Sequence, residues 1–364
     1  MIIFDAHQDI AYNALSHGRD YTQSALVKRR EEEGGEAARK NGLAMLGLPE
    51  ALLGRVGIAI ATIFTEPGYP NGMTKQPMSG ANTYKTPREA YTLGMKQLDI
   101  YNSLFDRSPR IRPVRSLPEL DAVLATWADG TKPADHVQGL ILSMENADPI
   151  IEPKQFEEWY ERGVRAVGPA WAGTRYCGGT GDPGGLTSDG YALLEVMGGL
   201  NALLDLSHMA EESFFQALDR YEGTLIASHS NPRRFVPNRD VRGRHLTDDM
   251  IRRLAERGGV IGLVPYNFFL HDTWVSGDPA IPFSRYLDVI DYVCQLTGSA
   301  AHVGIGTDFD GGFGAASTPD GLDTEADLLD IPDGLRQRGY SQADIDAITH
   351  GNFLAVMRRI LPAS

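Results

Sequence analysis

Residues 201–231 read Asn201-Ala-Leu-Leu-Asp-Leu-Ser-His208-Met-Ala-Glu-Glu-Ser-Phe-Phe-Gln-Ala-Leu-Asp-Arg-Tyr221-Glu-Gly-Thr224-Leu-Ile-Ala-Ser-His229-Ser-Asn231. An apolar run, Ala202–His208, ends in Ser-His. A helical segment, Glu211–Tyr221, follows, and a second run, Thr224–His229, ends in Ser-His again, 21 residues after the first. Strand, helix and strand at this spacing make one parallel unit. Six further runs extend the pattern along the chain: Ile2–Ile10, Arg55–Thr65, Val137–Glu145, Val164–Trp171, Gly259–Tyr266 and His302–Asp308. Eight runs predict an α/β fold, a TIM-like (β/α)8 barrel whose strand C-termini share one face.

Between the runs lie segments with a helical pattern: Pro87–Phe105, Pro153–Arg162, Asp189–Gly199, Thr247–Arg257, Phe283–Leu296 and Glu325–Arg338. Gln23–Asn41 reads as a solvated helical insertion. The last helix, Ser341–Ile360, opens on Ser341-Gln-Ala-Asp344, a start like a capping box. Its apolar positions Ile345, Ile348, Phe353, Val356 and Ile360 follow a helical period, so it is expected on the barrel exterior. The loops Glu66–Thr86, Ala172–Ser188, Ser230–Leu246 and Gly311–Thr324 follow strands and are long and rich in Gly, Pro, Asn and Asp. Connections entering strands are short. Long loops over the C-terminal face mark an elaborated active-site rim. With no repeat or linker, one domain over residues 1–364 is expected.

A net charge of −14 and a hydrophobic share of 42% allow a large core and leave no electrostatic footprint for nucleic acid or an anionic membrane. No window approaches the roughly 18 apolar residues of a membrane span. Met1-Ile-Ile-Phe-Asp-Ala-His7 lacks the pattern of a cleaved leader, and Arg358-Arg-Ile-Leu-Pro-Ala-Ser364 lacks an anchoring tail. A cytoplasmic protein is expected. Cys177 and Cys294, too few for a disulfide scaffold, are expected as reduced thiols.

The residues closing the runs are of one chemical kind. His7 and Asp9, two apart on a strand, share a face and can both reach one ion. Glu145 ends an otherwise apolar strand, where a carboxylate needs a partner, and it can lend one oxygen to each of two cations. His208 and His229 end successive units, and their imidazoles, with the carboxylates, suit zinc, manganese or similar divalent ions. Asp308 is expected to point at the barrel centre and Asp310 to leave toward the loop. The glycines around Asp308 lack the spacing of a phosphate loop. Taken singly, each motif has an ordinary explanation: a polar strand end, a rim ion pair, a satisfied core histidine. Five arginines after the sixth run, Arg233, Arg234, Arg239, Arg242 and Arg244, favour an anionic group on the substrate, with at least three of the five left to solvent.

Asp5-Ala-His7-Gln-Asp9, Glu145, Gly185-Leu-Thr187, Asp205-Leu-Ser-His208, Ser228-His229-Ser, Arg244-His-Leu-Thr-Asp-Asp, Tyr266-Asn, Gly306-Thr-Asp308-Phe-Asp-Gly and Gly351-Asn352 occur in order along most of the chain. In this the sequence resembles the membrane (renal) dipeptidase family, zinc dipeptidases of the amidohydrolase-like barrels, and looks like a soluble bacterial-type member. The resemblance implies two zinc ions, one on His7 and Asp9 and one on His208 and His229, with Glu145 bridging. It implies Arg244 as the clamp on the substrate carboxylate, Tyr266 as a substrate-pocket residue and Asp308 as the acid/base beside the metals. Family members cleave dipeptides, often with a D-residue at the C-terminal side, and some act on dehydropeptides or β-lactams. One departure stands out. Trp171 occupies the end of the fourth run, where the family usually has a histidine that polarises the scissile carbonyl; an indole N–H donates one hydrogen bond but does not titrate.

The expected function is therefore a binuclear zinc dipeptidase, in which a metal-bridging hydroxide attacks the peptide carbonyl and Asp308 passes a proton to the leaving amine. One alternative keeps the metals but hydrolyses another amide, such as an N-acyl amino acid or a lactam, which Trp171 favours. The other, a non-catalytic metal-binding barrel, is disfavoured because every expected ligand is present. The expected partner is a small dipeptide, with neither nucleic acid nor membrane; a homodimer is compatible with the sequence.

Overall fold

The structure, a computed structural model, describes residues 1–74, 80–240 and 242–364; positions 75–79 and Val241 of the expected rim loops lie outside the described residues. Each apolar run contains one strand: β1 Ile3–Gln8, β2 Val56–Phe64, β3 Gln138–Glu145, β4 Val164–Gly168, β5 Leu203–Asp205, β6 Leu225–Ala227, β7 Val260–Leu263 and β8 Val303–Ile305. Strands adjacent in sequence pair in parallel from β1 to β8. Asp5 opposite Ile305 joins β8 to β1 and closes the (β/α)8 barrel. A further strand, Ile111–Pro113, pairs with β3 at Gln138, below the point where β4 takes over at Leu142.

Several strands end before their apolar runs do. β5 stops at Asp205 and β8 at Ile305, three residues short of His208 and Asp308. His208 and Asp308 have φ of 66° and 54°. No strand continues through this left-handed conformation, and non-glycine residues hold it only where their surroundings impose it. The chain turns out of the sheet at both, which sets their side chains on the rim.

Phe4, Ile58, Ile141, Ala166, Leu203, Ile226 and Val260, one from each of β1 to β7, form a single apolar cluster. Residues from so many strands meet only inside the ring. Phe353, Val356, Met357 and Ile360 join them, with Phe353 stacked on Phe4 at 5.3 Å between ring centroids. The C-terminal helix therefore plugs the lower end of the barrel instead of lying on its exterior. Gly304 makes the room, because a Cβ there would fall 2.3 Å from the Phe353 ring. That last helix is also divided, into Gln342–Asp346, a π turn over Ala347–Gly351, and Asn352–Ile360. The Asn352 side chain donates to the Ala300 and Val303 carbonyls at 2.7 Å each, tying the final segment to the start of β8.

Elsewhere, Gln23–Asn41 is two short helices, Ala25–Glu31 and Glu36–Asn41. It is not wholly solvated: Lys28 is buried and donates to the Asp20 carbonyl at 3.1 Å. Glu325–Arg338 divides into a 3-10 turn, Glu325–Leu329, and a helix, Asp330–Gln337. The loop after β4 carries a hairpin, Cys177–Gly179 against Asp182–Leu186. Both cysteines are free and buried. Among the described residues no helix is long and apolar enough to cross a membrane.

Above the apolar plug the interior turns polar. Asp5 accepts from the Thr307 N–H at 2.8 Å and its hydroxyl at 2.7 Å, stitching β1 to the end of β8. Gly262 and Gly306 face the same Ser228 carbonyl, and a Cβ on either would lie 1.9 Å from its oxygen. This close approach lets the end of β6, which carries His229, crowd against its neighbours. Gly306→Ala is expected to displace Ser228 and His229 together, lowering stability by about 1–3 kcal/mol, as overpacking does, and lowering metal content. Denaturant titration and elemental analysis check this; a variant equal to the parent in both would show that the rim absorbs the methyl group.

Candidate active site

At the rim, His7 and Asp9 come from the end of β1, Glu145 closes β3, and His208 and His229 follow β5 and β6. Glu145 stands between two sets of donors. Its Oε2 lies 3.2 Å from His7 Nε2, while its Oε1 lies 3.2 Å from His208 Nε2 and 3.3 Å from His229 Nε2. Asp9 Oδ2 is 3.6 Å from His7 Nε2 on the first side. Two triads thus share one carboxylate: His7, Asp9 and Glu145, and Glu145, His208 and His229. Asp205 also falls within reach of His7 and His229, but it accepts the Ser207 and Ser228 N–H groups at 3.0 and 2.9 Å and the Ser228 hydroxyl. Its role is structural.

The surroundings fix each imidazole. The Ser228 hydroxyl donates to Asp205, so its lone pair accepts His229 Nδ1–H at 2.7 Å. Thr180 Oγ1 donates to the His208 carbonyl at 3.4 Å and accepts His208 Nδ1–H at 3.0 Å. Both rings then present an Nε2 lone pair toward Glu145, as metal-binding histidines require. His7 Nε2, His229 Nε2 and Asp9 Oδ1 are buried without a hydrogen-bond partner. Orphaned buried atoms are costly, and here they are two imidazole nitrogens and a carboxylate oxygen, a set that fits divalent cations.

The electrostatics agree. Burial disfavours a charged His7, yet Glu145 and Asp9 outweigh it and hold its pKa well above the ordinary imidazole value. Burial would raise Glu145, but the charge on His7 beside it brings it well below the usual carboxylate range. Burial and then His7 push His229 down to about 4, and burial and Arg244 push His208 down, so these two are neutral imidazoles. Burial, with repulsion from Asp9 and Glu145, lifts Asp308 well above the ordinary value against the pull of His7 and Arg244. Asp308 Oδ1 is 3.8 Å from His7 Nε2.

Over this cluster lies a cavity of about 580 Å³. Asp9, Glu145, His208, Asp308, Arg244, Tyr266 and Trp171 line it, whereas His7 and His229 lie buried outside its lining. Arg244 is 8% exposed and donates to two neutral acceptors, the Ser230 hydroxyl at 3.2 Å and the His229 carbonyl at 2.6 Å. No described carboxylate pairs with it. Its guanidinium also faces Phe269 at 5.3 Å. Trp171 is half-buried, its ring 5.2 Å from Phe64 and 6.4 Å from His208. Asp310 turns away as expected, but it is buried, accepting the Met45 and Leu46 N–H groups at 2.9 and 3.3 Å.

Of the five rim arginines, Arg239, Arg242 and Arg244 all line the cavity, more than the sequence suggested, because the loop after β6 folds across the mouth. Arg233 is instead held by Asp240 at 2.7 Å. Sequence reasoning missed Tyr12, Glu66, Thr180 and His245, which also line the cavity. His245 Nδ1 lies 3.0 Å from Asp240 Oδ1, and its Nε2 is buried without a partner. The available signals were an imidazole directly after Arg244 and a carboxylate directly after the second apolar run.

The profile of "Membrane dipeptidase (Peptidase family M19)" matches residues 1–363. An uncharacterised protein of Klebsiella pneumoniae from the pqqA 5' region is 31% identical over 236 residues, covering 62% of this chain and 83% of its own length. Dipeptidase aclJ of Aspergillus oryzae is 29% identical over 48% of this chain and 39% of its own. Dipeptidase 3 of mouse is 26% identical over 75% and 52%. The chain thus spans about half or less of those two named dipeptidases. Among solved structures, a metallo peptidase of Rhodobacter sphaeroides liganded with a phosphinate mimic of the dipeptide L-Ala-D-Ala superposes with a TM-score of 0.76 at 21% identity, covering 99% of each chain. The dipeptidase AC, a metallo peptidase of family M19, superposes at 0.78 and 21% identity over 100% of this chain and 99% of its own. Membership implies a divalent metal, and the donor set above is of the kind that holds one. The chain belongs to the membrane dipeptidase family, peptidase family M19, and by that membership is a metal-dependent hydrolase of peptide bonds.

Proposed function

We propose that this chain is a binuclear zinc dipeptidase, a single domain over residues 1–364, that hydrolyses dipeptides and tolerates a D-residue at the C-terminal position. The observation that carries the reading is the division of Glu145: one oxygen beside His7, the other beside His208 and His229. His7 and Asp9 would hold one ion, His208 and His229 the other, and Glu145 both. Bound there, divalent cations polarise the scissile carbonyl and make water acidic near neutral pH. Tolerance of a D-residue rests on the family resemblance; the Rhodobacter protein's ligand mimics such a dipeptide.

The chain's own residues do the rest. Arg244, buried and lacking an anionic partner, takes the substrate's free carboxylate with two parallel hydrogen bonds. This limits the length of chain that fits between the clamp and the reacting carbonyl, which favours dipeptides. Asp308, raised by burial, holds a proton readily; it takes one from the attacking water and returns it to the leaving nitrogen. Tyr266 and Trp171 wall the cavity and exclude water. Trp171 also supports a second reading, hydrolysis of another amide such as an N-acyl amino acid, since it does not titrate where the resemblance places a histidine. A panel of dipeptides against acetylated amino acids separates the two, because both substrate types keep the carboxylate that Arg244 needs.

Elemental analysis is expected to give two divalent ions per chain, and Glu145→Gln to lower occupancy and activity together; a single ion in fully active protein would refute the binuclear claim. Arg244→Ala is expected to weaken dipeptide binding by roughly 2–5 kcal/mol, the range for losing one partner of a buried charge pair. C-terminally amidated dipeptides are expected to be poor substrates of the parent and insensitive to this change. Equal turnover of free and amidated substrates would remove Arg244 from the carboxylate site.

A further inference from the structure

We propose that Arg239 selects substrates whose C-terminal residue carries a second carboxylate, an aspartate or glutamate side chain; the proposal rests on the dipeptidase reading and on Arg244 as its carboxylate clamp. Three arginines line one wall of the cavity, and two of them are engaged. Arg244 donates to the His229 carbonyl and Ser230, and Arg242 Nη1 to the Met73 carbonyl at 2.9 Å. The Arg239 guanidinium makes no hydrogen bond to a described residue, and its Nη1 is buried. A buried donor with no acceptor is unfavourable until a ligand supplies one.

Arg239 is nevertheless held in place. Its guanidinium carbon lies 3.8 Å from the centroid of the Phe268 ring, and its backbone N–H donates to Asp272 Oδ1 at 3.1 Å. A stacked guanidinium keeps its in-plane fork open to a carboxylate. Beside it the wall is aromatic: Tyr266 stacks on Phe313 at 4.2 Å and lies 5.8 Å from Phe268. Such a surface suits the methylenes of a short acidic side chain whose carboxylate ends on the arginine.

Arg239 and Arg244 line the same cavity from the same loop, and the proposal puts the second carboxylate on the residue whose α-carboxylate Arg244 grips. The residue directly after β2, Glu66, also lines the cavity, and its carboxyl group suits the substrate's amino end.

The zinc-loaded enzyme would be assayed on Ala-Glu and Ala-Asp against their neutral isosteres Ala-Gln and Ala-Asn, with L- and D-forms of the second residue. The expected kcat/KM for the acidic member is about tenfold or more above that of its amide, the contrast between a charge-assisted bidentate contact and a neutral one. Arg239→Met is expected to bring that ratio to about one, and Arg239→Lys, which keeps the charge without the fork, to an intermediate value. A parent ratio near one, or a ratio that Arg239→Met leaves intact, overturns the proposal. Calorimetric titration with free glutamate and glutamine reads the same contrast without turnover. Failure to hydrolyse any dipeptide, together with glutamate binding that depends on Arg239, would overturn the dipeptidase reading and uphold the acidic pocket.

Discussion

Asp9, Glu145 and Asp308 meet three imidazoles at the top of one barrel, in a place where carboxylates cannot stay charged without positive charge among them. Glu145 organises that sharing, because its two oxygens face different histidines. Most of what is unusual in the local structure serves this one arrangement. His208 and Asp308 adopt left-handed backbone conformations that turn their side chains onto the rim. Ser228 and Thr180 take the outer nitrogens of His229 and His208, so the inner nitrogens keep their lone pairs. Such strain and such a concentration of charge persist only because the surrounding barrel over-determines them.

The barrel does this by dividing its interior. The lower part is apolar and filled by the C-terminal helix, with Phe353 seated where Gly304 leaves space. The upper part is polar and cross-linked by hydrogen bonds: Asp5 ties β1 to the end of β8, and Asp205 ties the ends of β5 and β6. These two carboxylates resemble ligands in sequence, since each sits a few residues from a histidine. They differ from Asp9 and Glu145 in having their oxygens filled by N–H and hydroxyl donors, which is how a carboxylate is accommodated without a cation.

The strands and the site cluster were legible in the sequence because both depend on short-range pattern: an apolar run long enough for one strand, then a polar residue of ligand type. Placement of the last helix was not legible. A helical period shows that Phe353, Val356 and Ile360 share a face, but not whether that face meets the outside of the sheet or its lower opening; only Gly304, a missing side chain on another strand, decides it. The strand ends were misjudged because the runs carry on past the last paired residues, Asp205 in β5 and Ile305 in β8. Arg239 was only one of five arginines, and His245 was missed, for another reason. Their meaning depends on which atoms lack partners, and that is a property of the folded wall.

Trp171 alters what the remaining residues of the cavity must do. On the proposed reading a histidine at that position would offer a second titrating group near the scissile bond; an indole offers shape and a single N–H. Proton transfer then falls on Asp308, whose burial among other carboxyl groups already raises its affinity for a proton. His245, the other imidazole on the wall, is tied at Nδ1 to Asp240, and burial lowers its pKa, so it meets a ligand as a neutral acceptor. The lining is therefore unlike in charge from side to side, arginines on the loop after β6 and the Glu66 carboxyl group after β2. A zwitterion lowers its energy in one orientation only, carboxylate toward the arginines, and that orientation is set before any bond is broken.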